Sequence, residues 1–272
     1  MNLLLKIFKK LKLIIRPYFI KKKFNNFEKA EEFCKSKNRF CYESRYLSHY
    51  RFQKLDNFLT RKGNLKGSPS SNMLLYSTLI FLRDNPGKIP KFIDFGGACG
   101  ENIILLSSIF GEDVYKSSWI IESPEQTRNS KDYGFSSKMN FSSDLESVLK
   151  NEEIDIFFTS CAIHYLSSPY KLLETVANYK VPFVCLTRNN FSLKTKYFAQ
   201  LSNISENGTG VHLESFDDRE IWYPCSSINE SKVIEIFTSK NYFVSLQEPG
   251  TQSGVIDRRN GYSNDLCFYI TE

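Results

Sequence analysis

Between Asp94 and Glu122 the chain sets two acids around a glycine-rich turn. Phe92-Ile93-Asp94-Phe95-Gly96-Gly97-Ala98-Cys99-Gly100-Glu101-Asn102 reads as a strand that runs into a turn and then a helix. Gly96 and Gly97 permit a sharp turn and a close approach of a ligand to backbone, while Gly100 lets the helix pack near the strand. Glu122 closes the next apolar run, Trp119-Ile120-Ile121. There an acid accepts hydrogen bonds from the two hydroxyls of a ribose. The spacing is wrong for a dinucleotide loop, because aligning Gly97 and Gly100 as its last two glycines puts Phe95 where the first belongs. A carboxylate at the strand end, Asp94, would also oppose a pyrophosphate, whereas it favours the ammonium and sulfonium of S-adenosylmethionine (AdoMet). Ala98 is tolerated within this turn if its backbone need not adopt positive φ.

AdoMet chemistry is methyl transfer by in-line displacement, so the protein must align a nucleophile and, for a hydroxyl, take its proton. His164, just past the fourth expected strand, is the candidate base, imidazole being the side chain type whose ordinary range suits that task. The plainer alternative is a residue that orients a loop. Tyr165 is expected as a wall of the site. Arg188, ending the fifth strand, offers a fork for an acidic acceptor or a structural ion pair. Asp144 is either a helix N-cap or a contact to the adenine amino group. His212 and Asp217-Asp218 fall in a polar insertion, 192–220, expected as a loop able to cover the acceptor. No His, Cys and Asp cluster has metal-ligand spacing, so no metal is expected.

These residues need a scaffold, and the hydrophobic pattern supplies one. Strands are expected at 91–95, 118–122, 138–141, 154–160, 182–187, 242–246 and 265–271, with helices at 100–110, 124–132, 144–151, 169–179 and 229–240. Strand–helix alternation with short connections implies an α/β fold, a Rossmann-like, seven-stranded, mostly parallel sheet covered on both faces. Residues 25–88 carry helical patterning and read as a helical cap, followed by an AdoMet-binding domain at 89–272.

Charge separates the N-terminus from the rest. Lys6, Lys9, Lys10, Lys12, Arg16, Lys21, Lys22 and Lys23 precede the first acid, Glu28, in a chain of net charge +6. The remainder is therefore mildly acidic, which argues against a nucleic-acid-binding body. Leu4, Ile7, Phe8, Leu11, Ile14 and Ile15 fall on one face of a helix over 2–16. Residues 1–24 thus read as a basic amphipathic helix lying on an anionic membrane surface; the alternative is a helix packed on the domain. Seven cysteines, several on expected core strands, fit a reduced compartment. The expected location is cytoplasmic, peripheral at the inner face of the cytoplasmic membrane.

The chain also resembles a family of class I methyltransferases found in bacteria, often beside surface-polysaccharide genes. The resemblance spans roughly residues 40–270 and rests on Asp94-Phe95-Gly96-Gly97 with Gly100, Trp119-Ile120-Ile121-Glu122, Cys161-Ala162-Ile163-His164-Tyr165-Leu166 with Ser168-Pro169-Tyr170, and Tyr223-Pro224-Cys225. It implies the seven-stranded methyltransferase sheet and AdoMet as cofactor. The expected activity is O-methylation of a glycan or glycolipid precursor of the cell surface. The alternative is a non-catalytic module that keeps the fold and scaffolds envelope-polysaccharide assembly.

Overall fold

The central apolar runs after Lys91, at Lys91–Phe95, Ile156–Ser160 and Phe183–Ser192, lack alternation because each becomes a strand covered on both faces. A computed structural model describes residues 21–38, 44–61, 69–249 and 262–270. The seven expected strands are all present: β2 (Lys91–Phe95), β3 (Ser117–Ile121), β4 (Met139–Ser142), β5 (Ile156–Ser160), β6 (Phe183–Ser192), β9 (Tyr242–Pro249) and β10 (Tyr262–Ile270). They lie in the order β4-β3-β2-β5-β6-β10-β9. β10 is antiparallel to both its neighbours, and the first five are parallel.

The period-two geometry of a strand sorts successive side chains into two cores. Ile93, Phe157, Val184 and Leu186 pack under α6 (Leu145–Asn151), α7 (Pro169–Asn178) and α8 (Glu230–Thr238). Phe92, Ile156, Phe158, Phe183 and Cys185 pack on the other face, under α3 (Pro69–Asp84) and α4 (Glu101–Phe110). Polar side chains start the helices on time. Ser123 caps the short α5 (Pro124–Asn129) by accepting from Gln126 N–H, and Asn229 caps α8 by accepting from Lys232 N–H.

Three further strands were not expected. β7 (Lys196–Asn203) and β8 (Glu220–Asn229) form an antiparallel pair, and β1 (Lys21–Phe24) adds to the outer edge of β7. The expected insertion at 192–220 is therefore partly strand, and residues 204–219 form the connection between β7 and β8. The strand pattern was masked by the polar residues of Lys196–Asn203 and by Pro224, which lacks the donor a central strand needs. Pro224 is accommodated because β8 meets β6 only later, at Phe191↔Ile228 and Ser192↔Asn229. That junction follows a bulge, where the β10 register shifts between Asn264 and Leu266 opposite Thr187 and Arg188. Below the bulge β6 pairs with β5, and above it with β8.

The helical region before β2 goes to three different places. α1 (Phe27–Lys37) packs on the β7–β8 arm, with Phe33 edge-on to Trp222 at 5.3 Å. Asn38 fastens its end, donating to Trp222 O and accepting from Trp222 N–H at 2.8 Å. α2 (Arg45–Thr60) lies over the glycine turn, and α3 covers the sheet. The helix expected over 2–16 lies outside the described residues. Lys21, Lys22 and Lys23 belong to a strand rather than to the tail of a helix, with Lys22↔Ala199 and Lys23↔Phe198 in register. No helix among the described residues is long and apolar enough to cross a membrane.

Candidate active site

The turn after β2 is built so tightly that three of its residues have no room for a side chain. Gly96 (φ 68°) and Gly100 (φ 86°) hold left-handed backbone, and added Cβ atoms would collide with the Ala162 Cβ and the Met139 Sδ. Gly97 is needed for a different reason: its Cβ would sit 2.5 Å from Asp94 Cγ. The Asp94 carboxylate therefore lies directly beneath the Gly97 backbone. It is fully buried, accepts from Asn102 Nδ2 at 3.0 Å through Oδ2, and has no hydrogen-bond partner for Oδ1 among the described residues. Burial pushes its pKa up to about 7, against the Asn102 hydrogen bond and with the help of the nearby Glu101 and Glu122 charges. An orphaned buried carboxylate oxygen is a standing cost that a cationic or hydrogen-bond-donating ligand would relieve.

Contrary to the expectation of negative φ, Ala98 is left-handed, with φ 50°. Glu122 explains how the conformation is held: its Oε1 accepts from Ala98 N–H at 2.9 Å and its Oε2 from Ser123 N–H at 3.1 Å. Gln126 adds a bond from Nε2 to Ala98 O at 3.0 Å. Glu101, which sequence reasoning passed over, folds back to accept from Cys99 N–H at 2.9 Å. Burial raises the pKa of both glutamates, and the Arg51 charge on α2 pulls both down.

Ala98, Cys161 (φ 59°) and Arg188 (φ 57°) are non-glycine residues in left-handed backbone, and they lie past the C-terminal ends of β2 and β5 and in the bulge of β6. These three strands are neighbours. Each such residue costs on the order of 1–3 kcal/mol and is kept where surrounding structure enforces it, often around a functional site. Cys161 Sγ lies 3.8 Å from His164 Nε2 and 3.9 Å from Tyr165 Oη. His164 is almost fully buried in a 3₁₀ turn, Ile163–Tyr165, its carbonyl accepting from Ser226 Oγ at 3.2 Å. Tyr165 stands edge-on to Tyr223 at 5.1 Å, and Tyr223 Oη accepts from Gln200 Nε2 at 2.9 Å. The β7–β8 arm thus reaches the end of β5, beside the Ala162 that packs on Gly96.

The remaining expected residues lie elsewhere. Arg188 donates its backbone N–H to Asp265 Oδ1 at 2.7 Å, and its charge lowers the Asp265 pKa against the dominant effect of burial. Asp144 is the N-cap of α6, accepting from Ser147 N–H at 2.9 Å, and it is exposed. His212 pairs with Tyr50 Oη at 3.0 Å. Asp217 N–H donates to Tyr46 Oη and Asp218 accepts from Ser205 N–H, so this stretch is tied to α2 and to itself. Lys54 makes the strongest tie, donating to the carbonyls of Ser205, Asn207 and Gly208 at 2.9, 2.9 and 3.0 Å.

No protein-family model and no curated protein matches the chain. Solved structures do. An S-adenosylmethionine-dependent methyltransferase from Clostridium acetobutylicum superposes with a TM-score of 0.50 at 10% identity, over 82% of this chain and 99% of that one. The CcbJ methyltransferase from Streptomyces caelestis also gives 0.50, at 6% identity, over 84% of this chain and all of its own. At such identities the likeness is one of fold: the chain has the class I methyltransferase fold.

Proposed function

We propose that the protein is an AdoMet-dependent methyltransferase. The observation that carries the reading is the Asp94 carboxylate, buried beneath Gly97 with one oxygen unpartnered among the described residues, at the turn where this fold presents a ligand to backbone. Asp94 would hold the cationic end of AdoMet, Glu122 the ribose hydroxyls, and Gly96, Gly97 and Gly100 the close backbone approach, while Asp144, besides capping its helix, would contact the adenine amino group. When bound, AdoMet supplies an electrophilic methyl group. The chain's own residues then orient the acceptor and handle its proton. His164 is the proposed proton acceptor, with Tyr165 as a wall beside it and Arg188 offering a charge to an acidic acceptor.

We further propose that the acceptor is a hydroxyl of a glycan or glycolipid precursor, met at an anionic membrane surface through residues 1–20. The resemblance to methyltransferases found beside surface-polysaccharide genes and the basic N-terminal sequence support this. Calorimetry with AdoMet, its demethylated product and NAD tests the cofactor. Binding of the first two but not of NAD is the expected result; absence of AdoMet binding by the folded protein would overturn it.

A further inference from the structure

Helix α2 packs on the glycine turn, Phe52 and Leu55 against Cys99, and so carries Arg51 into the neighbourhood of the two glutamates of that turn. Arg51 is only 8% exposed. Its charge acts on Glu101, Glu122 and Cys99. Glu101 faces Arg51 and Lys54 from α2, Asp94 from β2, the Cys99 N–H and the Thr209 backbone from the 204–219 connection. Glu122 faces Arg51, Glu101 and Asp94, with the N–H groups of Ala98 and Ser123. Three carboxylates thus crowd one turn. Lys54 is already committed to three carbonyls.

The helix is held in this place from both ends of its buried face. Phe52 stacks on Tyr133 at 4.9 Å and packs with Phe141 beside Cys99. On the other side Gly208 leaves space for the Arg51 stem, its absent Cβ falling 3.4 Å from Arg51 Cγ. With the helix and the Arg51 stem held and the residue buried, the charge stays near those acids, and burial makes an unmatched carboxylate costly there.

We propose that Arg51 is the counter-ion of the Glu101–Glu122 pair, which makes α2 a wall of the cofactor site and Arg51 a positioning residue for cofactor binding. The proposal rests on the AdoMet reading for its ligand. Arg51 holds the carboxylates ionised, so that Glu122 keeps the Ala98 and Ser123 N–H groups in place and remains an acceptor for ribose hydroxyls. It leaves a net acidic turn, suited to a cation-bearing ligand, where three unmatched acids would protonate or push apart.

The test compares wild type with Arg51→Met and Arg51→Lys in two measurements. In calorimetry with AdoMet, Arg51→Met should bind about tenfold or more weakly at pH 6.5 and recover toward wild type by pH 9, as its glutamates ionise unaided. Arg51→Lys should restore most of the loss. Arg51 is not among the groups that act directly on Asp94, which responds only through the Glu101 and Glu122 charges, so the pH dependence of the affinity ratio still reports the ionisation of those two glutamates. In ligand-free melts the wild-type advantage in Tm should grow from pH 4 to pH 8, because Arg51 stabilises only ionised carboxylates. An affinity ratio or a Tm difference that does not vary with pH overturns the proposal. Should Arg51→Met not fold, Arg51→Gln replaces it, keeping a polar stem without the charge. Wild type that fails to bind AdoMet overturns the cofactor reading, and the melts then decide the Arg51 assignment alone.

Discussion

A carboxyl that the fold holds near pH 7 makes folding itself sensitive to acidity. Asp94 titrates at about 7 in place, against an ordinary value of 3.8. Below both values the carboxyl is protonated whether or not the chain is folded, and no penalty applies. As pH rises between them, the unfolded chain releases a proton that the folded chain retains, so stability falls, by on the order of 4 kcal/mol when complete. Asp94→Asn should therefore melt above wild type at pH 8 without ligand, with the gap closing toward pH 4, and should bind AdoMet at least about tenfold more weakly. A gap that persists at pH 4 would mean that the carboxyl's charge is not its origin. His164 gives a second test at this scale. Under the base reading, His164→Gln keeps AdoMet affinity and slows single-turnover methyl transfer roughly 10²- to 10⁴-fold. Equal loss of cofactor binding would make the residue, already buried against Cys161 and Tyr165, a wall of the pocket.

At the scale of elements, the connection between β7 and β8 depends on one amine. Lys54→Met removes the charged donor shared by three carbonyls, a loss on the order of 2 kcal/mol. Hydrogen exchange should accelerate across 204–219 while β2, β5 and β6 stay protected; uniform acceleration would show that the tie is not local. The sheet was legible in the sequence because Ile93, Phe157 and Val184 alternate with Phe92, Phe158 and Cys185 in runs that must be covered on both faces. Asp94, Gly96, Gly97, Gly100 and Glu122 were legible because strand, turn and helix place them within one local unit. Nothing local marks Arg51, Lys54 or Glu101: two stand on a helix some forty residues upstream of the turn, and the third looks like an ordinary first-turn acid. β7 and β8 were missed because polar residues and Pro224 hid strands that each carry one lightly covered edge.

For the whole molecule, the described chain opens with β1, which starts at Lys21. A deletion meant to remove the proposed membrane-binding part must therefore stop at residue 20, since cutting further takes away a strand. The shortened protein should fold, keep AdoMet affinity and no longer sediment with anionic vesicles, whereas the intact chain should bind them less as salt rises. Retained sedimentation would place the contact elsewhere.

The β1–β7 ladder gives that attachment a mechanical meaning. A tether at Lys21 pulls first on β7 and β8, then on the 204–219 connection and, through Lys54, on α2, with Arg51 at its centre. The seven-stranded sheet is reached through Phe191↔Ile228 and Ser192↔Asn229, and the end of β5 through the Ser226–His164 bond. Load applied at the N-terminus is thus shared by the elements roofing the glycine turn before the core that carries Asp94 feels it, and tension there bears on the opening of the roof rather than on the integrity of the floor.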